Sequence, residues 1–415
     1  MKKNAKRLLG LLIALAMMVS LVGTMALADS SAAAEEPVVT YIGTSVSSGF
    51  FLPQVPEDWV YEDPEAPNGK NTSDWDAIVA DGARDFGKKP NGTDKYFLAY
   101  HPYDALAPNS APRLVAEGLQ MKLVKNRNPN FHKMCFTGLR TSELLRFLYG
   151  RDSAWDKKMK DDWISEEYMA GEYSGFTQDD FDWLYDEDNG PQRWIKDSKY
   201  VIVEIGANDV MTTVIENLFK PQGYYGTYKS KLRTEETYKA MIDLAMRTGD
   251  PGVVVTKALE LAKKAGELPL MMTAMTKALL EGTMMFYTNY GKVIKRIYEL
   301  NPEATVLAVG TFNPLEGVKI SENLPLQAKL LMDPNIRMMN AYIKSLAPYA
   351  LSSKYDYRYV DDYGISLAGI DQYTLMGLLT SDKISEFDAR KTGPIHPNVE
   401  GHRYLANQIL KAIDK

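Results

Sequence analysis

The sequence predicts an α/β protein, a three-layer α/β/α sandwich built on a central parallel sheet. Short apolar runs typical of buried strands recur far apart along the 415 residues. Stretches with helical periodicity fill the intervals between those runs. Strands that alternate with helices favour a parallel sheet with both faces covered. The chain is also long enough to bury one large core.

Four strand-like runs are interpreted as strands of this sheet, at residues 38–42, 199–205, 304–310 and 357–360, and a short run at 132–136 is the candidate for a fifth. Helical spacing of apolar side chains is clearest at residues 142–149, 234–246, 255–261, 271–300 and 401–413. The last of these helices follows a Pro-Asn pair, a combination typical of a helix start.

Long intervals separate the predicted elements. Residues 50–130, 150–197 and 212–285 exceed ordinary loops, so we interpret them as insertions with structure of their own. The candidate functional residues described below are spread over the whole length of the chain. This spread favours one domain with inserted segments at 37–415 over two domains. Residues 29–36 are small and acidic and are interpreted as a flexible leader.

The first 28 residues have the pattern of an export signal. A basic start containing Lys2, Lys3, Lys6 and Arg7 precedes an apolar stretch, and a small-x-small pattern ends at Ala28. We therefore expect cleavage after Ala28 and a secreted protein. The alternative is an uncleaved segment that tethers the protein to a membrane.

Charge and cysteine content exclude several classes of function. The formal net charge is −6, and removal of the four basic residues in the signal would make it −10. An acidic surface argues against nucleic acid as a partner, and nothing in the sequence implies a stable protein partner. Cys135 is the only cysteine, so no internal disulfide can form. The histidines have no metal-ligand spacing, so no metal site is predicted.

Four short blocks carry residues that could act together in catalysis. Residues 43–49 form a Gly-bracketed turn that places Ser45 at the carboxyl end of the first predicted strand. Residues 136–141 precede a helix, 203–209 end a strand in Gly-Ala-Asn-Asp, and 395–401 place a histidine before the last helix. Ligands of parallel α/β sheets bind outside the carboxyl ends of strands. A serine needs a base and an oxyanion site to react, and later blocks supply candidates for both.

The four blocks, in this order, resemble the SGNH (GDSL-like) hydrolase family, and the resemblance extends over residues 38–415. It implies a flavodoxin-like SGNH hydrolase fold and a serine esterase without metal or organic cofactor. By resemblance, Ser45 is the nucleophile and His396 is the general base. The backbone N–H groups of Ser45 and Gly138 and the side-chain amide of Asn208 form the oxyanion hole.

Two positions depart from the family pattern. Thr44 stands where the family has an aspartate next to the nucleophile. Gly393 stands three residues before His396, where the family has the carboxylate that orients the imidazole. Such a carboxylate fixes the histidine tautomer and stabilises the imidazolium, and its conversion to an amide in a serine protease costs about 10⁴-fold in turnover.

Three interpretations of this gap stay open. A backbone carbonyl near Gly393 or Pro394 holds the ring in a Ser–His dyad, or a carboxylate reaches it from another loop, or the site is inactive and only binds. The candidate carboxylates are Asp388, Asp361 and Asp362.

The expected substrate is an acyl ester of a small molecule, a carbohydrate or a lipid. Aromatic residues in the first insertion, which we interpret first as packing the insertion against the body, would also suit a cleft for carbohydrate acetyl esters or other short acyl esters. A Met-rich helical stretch, which we interpret first as core packing, would also suit a lipase or lysophospholipase. The third possibility is a catalytically silent carbohydrate-binding protein on the same scaffold.

Overall fold

A computed structural model describes much of the chain after residue 35. The residues described are 36–47, 49, 83–85, 98–100, 106–124, 127–135, 138–151, 184–188, 190–219, 230–248, 258, 261–262, 264–313, 318–321, 324–327, 329–349, 354–365, 373–374 and 396–414. The chain divides into two units, Met1–Pro37 and Val38–Lys415. The predicted export signal lies outside the described residues, as does most of the predicted helix 255–261. The fold below is that of the second unit.

Strands and helices alternate along the described chain. The strands are β1 (Val39–Gly43), β2 (Ala83–Asp85), β3 (Leu98–Tyr100), β4 (Phe131–Cys135), β5 (Tyr200–Val203), β6 (Thr305–Val309), β7 (Val318–Ser321), β8 (Leu324–Gln327), β9 (Tyr357–Val360) and β10 (Tyr373–Thr374). The helices are α1 (Ala111–Gly118), α2 (Thr141–Tyr149), α3 (Pro191–Asp197), α4 (Ala207–Phe219), α5 (Glu235–Thr248), α6 (Leu268–Leu300), α7 (Lys329–Tyr349) and α8 (Val399–Ile413).

The central sheet is parallel throughout, with described strands in the order β4–β1–β5–β6–β9. Numbered by appearance in this sheet, the order is 2-1-3-4-5, which is the flavodoxin-like arrangement. Each of the five predicted strands lies within two residues of an observed one. The predicted α/β/α fold is therefore confirmed. Two smaller sheets, β10–β7–β8 and β2–β3, stand apart from it.

Helices cover both faces of this sheet because successive strand residues point to opposite sides. Ile42 packs into a core that also contains Phe286 of α6. Tyr41, the preceding residue of β1, packs into a second core that contains Leu405 of α8. Helices α2, α4 and α7 share the first core, whereas α1 lies with α8 in the second. The sheet is thus the middle one of three layers.

Some helices were not predicted. Helix α7 contains Pro334, a residue that usually ends or kinks a helix. Helix α1 falls within the stretch 50–130 and α4 starts just before 212–285, and each has side chains in a core beside the central sheet. The boundaries of the three insertions stay a prediction.

The Met-rich segment of α6 packs mainly inward. Met271, Met275 and Leu279 are buried in the first core, which confirms core packing for these three. Met284 is exposed. In the described part of the chain, no helix combines the length and the apolar character needed to cross a membrane.

Candidate active site

Three neighbouring strands bring three of the predicted blocks to one edge of the sheet. β1 lies between β4 and β5, and the carboxyl ends of parallel strands meet at the same edge. Ser45 follows β1, Gly138 follows β4, and Asn208 lies in the first turn of α4, just after β5. Ser45 and Asn208 are more than 160 residues apart in the sequence, but the order of the strands places them on neighbouring strand ends.

The predicted nucleophile and base are in direct contact. Oγ of Ser45 lies 2.9 Å from Nε2 of His396, and both residues are buried. His396 comes from the segment that leads into α8, far along the chain from Ser45. Asn398 fixes the start of that helix, since its side-chain oxygen accepts hydrogen bonds from the N–H groups of Glu400 and Gly401 at 3.1 Å each.

Burial makes His396 a neutral imidazole at neutral pH. Loss of hydration lowers the pKa of His396 to about 3, with a smaller contribution from the neighbouring His402. His402 is itself neutral, because burial lowers its pKa to about 3 as well. Its Nδ1 accepts a hydrogen bond from Ala111 N–H at 3.1 Å, so its proton is on Nε2. A neutral His396 can accept a proton at Nε2 when its own proton is on Nδ1.

One predicted oxyanion residue, Asn208, hydrogen-bonds the loop that contains another, Gly138. Gly138 has a φ of +80°, a conformation that favours glycine. Nδ2 of Asn208 donates a hydrogen bond to the carbonyl oxygen of Leu139 at 3.2 Å. An amide NH₂ carries two donors, and this contact uses one of them. This hydrogen bond therefore ties the loop that contains Gly138 to the first turn of α4.

A buried carboxylate, Asp209, holds the same loop from the next position. The N–H of Thr141 donates to its Oδ2 at 3.1 Å, and the Thr141 hydroxyl donates to Oδ1. Burial raises the pKa of Asp209 to about 7, although the hydrogen bonds from Thr141 oppose that shift. The sequence analysis gave Asp209 no role in the site.

A second buried carboxylate, Glu204, follows β5 and contacts the turn that contains Ser45. Its Oε1 accepts from the Thr44 hydroxyl at 3.2 Å, and its Oε2 accepts from Thr44 N–H at 3.4 Å and from the Ser47 hydroxyl. Burial raises the pKa of Glu204 to about 7. No role for Glu204 was predicted from the sequence. The sequence did contain a signal that could have indicated a role for Glu204. It is a charged residue between apolar neighbours, and a buried charge without a partner is costly.

The candidates for orienting His396 fall in different places. Gly393 and Asp388 lie outside the described residues. Asp361 is exposed, and its Oδ1 accepts a hydrogen bond from Tyr363 N–H at 3.2 Å. Asp362 is buried just after β9; burial, then the charges of Glu204 and Asp361, hold its pKa well above the usual range. The residue or carbonyl that orients His396 stays a prediction.

The described residues contain no group of three or more His, Cys, Asp or Glu side chains arranged to hold a metal ion. Cys135 is buried, and burial raises the pKa of its thiol far above the usual range.

Comparison with known proteins finds distant structural neighbours only. No protein-family model and no curated protein matches the sequence. A lipase from a goat rumen metagenome aligns over 90% of this chain and 96% of its own, with 12% identity and a TM-score of 0.34. A carbohydrate esterase family 2 enzyme with a carbohydrate-binding domain from Corynascus thermopiles (Myceliophthora fergusii) aligns over 93% and 69%, with 14% identity and a TM-score of 0.32.

An acetyl xylan esterase from the rumen bacterium Butyrivibrio proteoclasticus aligns over 90% of this chain, with 11% identity and a TM-score of 0.31. The chain spans 62% of the length of that esterase. All three neighbours are ester hydrolases by name. At these TM-scores the likeness carries no argument, so the case for function rests on the geometry around Ser45.

Proposed function

We propose that this chain is a secreted serine esterase that hydrolyses acyl esters through a covalent acyl-enzyme. The observation that carries the proposal is the 2.9 Å contact between Oγ of Ser45 and Nε2 of His396. That distance lies within the range in which a base activates a hydroxyl nucleophile. The position of this pair at the carboxyl edge of a parallel sheet also agrees with where such proteins bind ligands.

In the acylation step, Oγ of Ser45 attacks the carbonyl carbon of the ester while its proton moves to Nε2 of His396. The carbonyl electron pair moves to the oxygen, which becomes an oxyanion. The N–H groups of Ser45 and Gly138 and the amide of Asn208 stabilise it. One such donor is worth about 2.7–4 kcal/mol in the transition state. Collapse of the intermediate expels the alcohol, which takes the proton from His396.

In the deacylation step, His396 takes a proton from water as the water oxygen attacks the acyl-enzyme. A second oxyanion forms at the same donors and collapses to release the carboxylic acid. Ser45 recovers its proton from His396, and the enzyme is restored. During both steps His396 becomes a cation in a buried site, so an acceptor at its Nδ1 must compensate that charge. This need gives the orienting group a physical role.

The proposed substrates are carbohydrate acetyl esters and other short acyl esters. The alternative of a lipase or lysophospholipase differs in the length of the acyl chain that the site accepts. A series of p-nitrophenyl esters from acetate to palmitate separates these two. A maximum of kcat/KM at acetate or propionate supports the short-chain proposal, whereas a maximum at long chains favours the lipase.

The decisive experiment is fluorophosphonate labelling of the exported protein together with p-nitrophenyl acetate turnover. Wild type is compared with Ser45→Ala and His396→Ala. Ser345→Ala is a matched control, because Ser345 is an exposed serine on α7. We expect labelling to be lost in Ser45→Ala, turnover to be lost in both site variants, and the control to behave as wild type.

A folded wild-type protein that neither labels nor turns over any ester of the series would overturn the proposal. A carbohydrate-binding protein without catalysis would then become the better account. Secretion is tested separately by sequencing the amino terminus of exported material, which we expect to begin at Asp29.

A further inference from the structure

We propose that Glu204 is the positioning residue of the nucleophile, and that its carboxylate holds the turn formed by residues 44–47 in the reactive conformation. This inference rests on the proposed function, since it concerns how Ser45 is presented to His396. The turn is called the nucleophile turn below. Glu204 acts through its hydrogen bonds with Thr44 and Ser47.

The carboxylate of Glu204 holds the nucleophile turn on both sides of Ser45. Thr44 donates its N–H at 3.4 Å and its hydroxyl at 3.2 Å. Ser47 donates its hydroxyl to Oε2, and its N–H also hydrogen-bonds the carboxylate. Four donors from two residues thus converge on one carboxylate, and the serine that contacts His396 lies between those residues.

The packing around Gly43 shows how closely Glu204 lies against this turn. A Cβ at position 43 would lie 2.7 Å from Cβ of Ser47 and 3.0 Å from Oε2 of Glu204. Glycine is therefore required for the carboxylate and the turn to approach each other. The backbone of Glu204 is fixed as well, because its N–H donates to the carbonyl oxygen of Ile42 at 2.8 Å.

The ionised form of Glu204 is the form that fits its surroundings. A carboxylate accepts at both oxygens, whereas a protonated carboxyl group must use one oxygen as a donor. The titratable groups that interact with Glu204 are Tyr41 of β1, Cys135 of β4 and Asp362 after β9. Burial raises the pKa of all three, with the negative charge of Glu204 as a further cause. None of the three side chains can carry a positive charge that would stabilise the ionised carboxylate.

Ionisation of Glu204 should therefore tighten the nucleophile turn as the pH rises. Because burial raises the pKa of this group to about 7, the change falls within an accessible range. His396 titrates far below it, since burial lowers its pKa to about 3. The two groups are thus separable in a pH profile.

The test compares wild type with Glu204→Gln in p-nitrophenyl acetate turnover and in the rate of fluorophosphonate labelling. The amide has the same shape but replaces one acceptor oxygen by a donor. A misplacement of about 1 Å in a reacting group costs up to about 10²-fold in rate. We expect kcat and the labelling rate of Glu204→Gln to fall together by about 10- to 100-fold at pH 8.5, with little change in KM.

The pH dependence distinguishes positioning from a loss of packing. The ratio of wild-type to Glu204→Gln kcat should shrink as the pH falls through about 7, because the wild-type carboxylate becomes protonated and loses the same acceptor. Glu204→Asp, which keeps the charge, should restore part of the rate. Thr44→Val removes one donor, and its effect should be smaller in the Glu204→Gln background than in wild type.

Asp356→Asn is the matched control. Asp356 is also a carboxylate that accepts a threonine hydroxyl, from Thr305 at 2.9 Å, but it lies at the opposite edge of the sheet, just before β9. We expect this variant to change thermal stability without changing kcat. It shows what the loss of a structural carboxylate does when the nucleophile turn is not involved.

The outcomes separate this inference from the proposed function. Active wild type with an unchanged rate in Glu204→Gln overturns the role of Glu204 alone. A lower rate whose ratio to wild type is constant between pH 5.5 and 8.5 also overturns it, because it indicates packing. A wild-type protein that is inert to every ester and to fluorophosphonate overturns the proposed function, and the inference falls with it.

Discussion

Replacing the buried carboxylate Asp209 by asparagine should make the stability of the protein less sensitive to pH. Asp209 is fully buried and accepts hydrogen bonds from the N–H and hydroxyl of Thr141. Asparagine has the same shape and keeps a carbonyl oxygen that can accept from Thr141. The substitution therefore removes the ionisation of this group while preserving much of its contact with the loop that carries Gly138.

The magnitude follows from the difference between the folded and unfolded pKa of Asp209. Burial raises the pKa from the usual 3.8 to about 7. One unit corresponds to about 1.36 kcal/mol, so the whole shift is worth about 4 kcal/mol. The folded carboxyl group binds its proton more tightly than the unfolded one. Its contribution to stability is thus complete below pH 3.8 and is lost as the pH rises through 7.

Urea denaturation of wild type and Asp209→Asn at several pH values between 5 and 8 measures this effect. We expect the free energy of unfolding of the variant, relative to that of wild type, to rise by about 3 kcal/mol between pH 5 and pH 8. This range covers about two pH units of the pKa shift. Glu204, His396 and His402 also have shifted pKa values, but they are present in both proteins and cancel in the difference. Only the comparison between the two proteins isolates Asp209.

The opposite sign would refute the reasoning. If wild type became more stable relative to the variant as the pH rose, the pKa of Asp209 would be depressed. The Thr141 hydrogen bonds would then outweigh the cost of burying the charge. A difference that changed by less than about 1 kcal/mol would mean that burial and hydrogen bonding balance. Circular dichroism at each pH checks that both proteins start from the same fold.

Two substitutions and one labelling experiment test the site and the thiol. Asn208→Ala should lower kcat by about 10²- to 10³-fold with little change in KM, because it removes an oxyanion donor; retention of full kcat would exclude that role. Gly43→Ala should lower both the melting temperature and kcat, since its Cβ would lie 2.7 Å from Ser47 and 3.0 Å from Glu204; unchanged melting and turnover would contradict the close packing. Cys135 should react with a thiol reagent only after unfolding, because it is buried and its thiol pKa is raised; rapid labelling of native protein would show that it is accessible.

The central fold could be predicted because its strands carry a strong local signal. The run Tyr200–Val203 is apolar without alternation, which is typical of a strand covered on both faces. Helix α7 lacked a comparable signal, since Pro334 interrupts its pattern. Helix α1 is only eight residues long, and its buried face becomes evident once α8 lies beside it.

Ser45 and His396 were assigned as nucleophile and base from the order of four blocks. Their side chains lie 2.9 Å apart, and the two roles stay a prediction. The roles of Glu204 and Asp209 were not predicted. Their partners lie 157–160 and 68 residues away, and only the pairing of β1 with β5 and the approach of α2 to α4 bring them together. The local sequence indicates that a buried acid needs a partner. Which residue is the partner depends on how the strands and helices are arranged in the fold.

In the proposed arrangement, Glu204 supports the nucleophile turn from outside the turn, at the end of a neighbouring strand. A carboxylate within the nucleophile turn would move with that turn. Glu204 instead follows β5, a strand that is hydrogen-bonded to β1 on one side and to β6 on the other. The ladder on both sides fixes its backbone, so its acceptors stay at one place when the turn fluctuates. Catalytic groups gain from supports that are themselves rigid. Thr44, which precedes the proposed nucleophile, donates both its N–H and its hydroxyl to this acid at the end of the neighbouring strand.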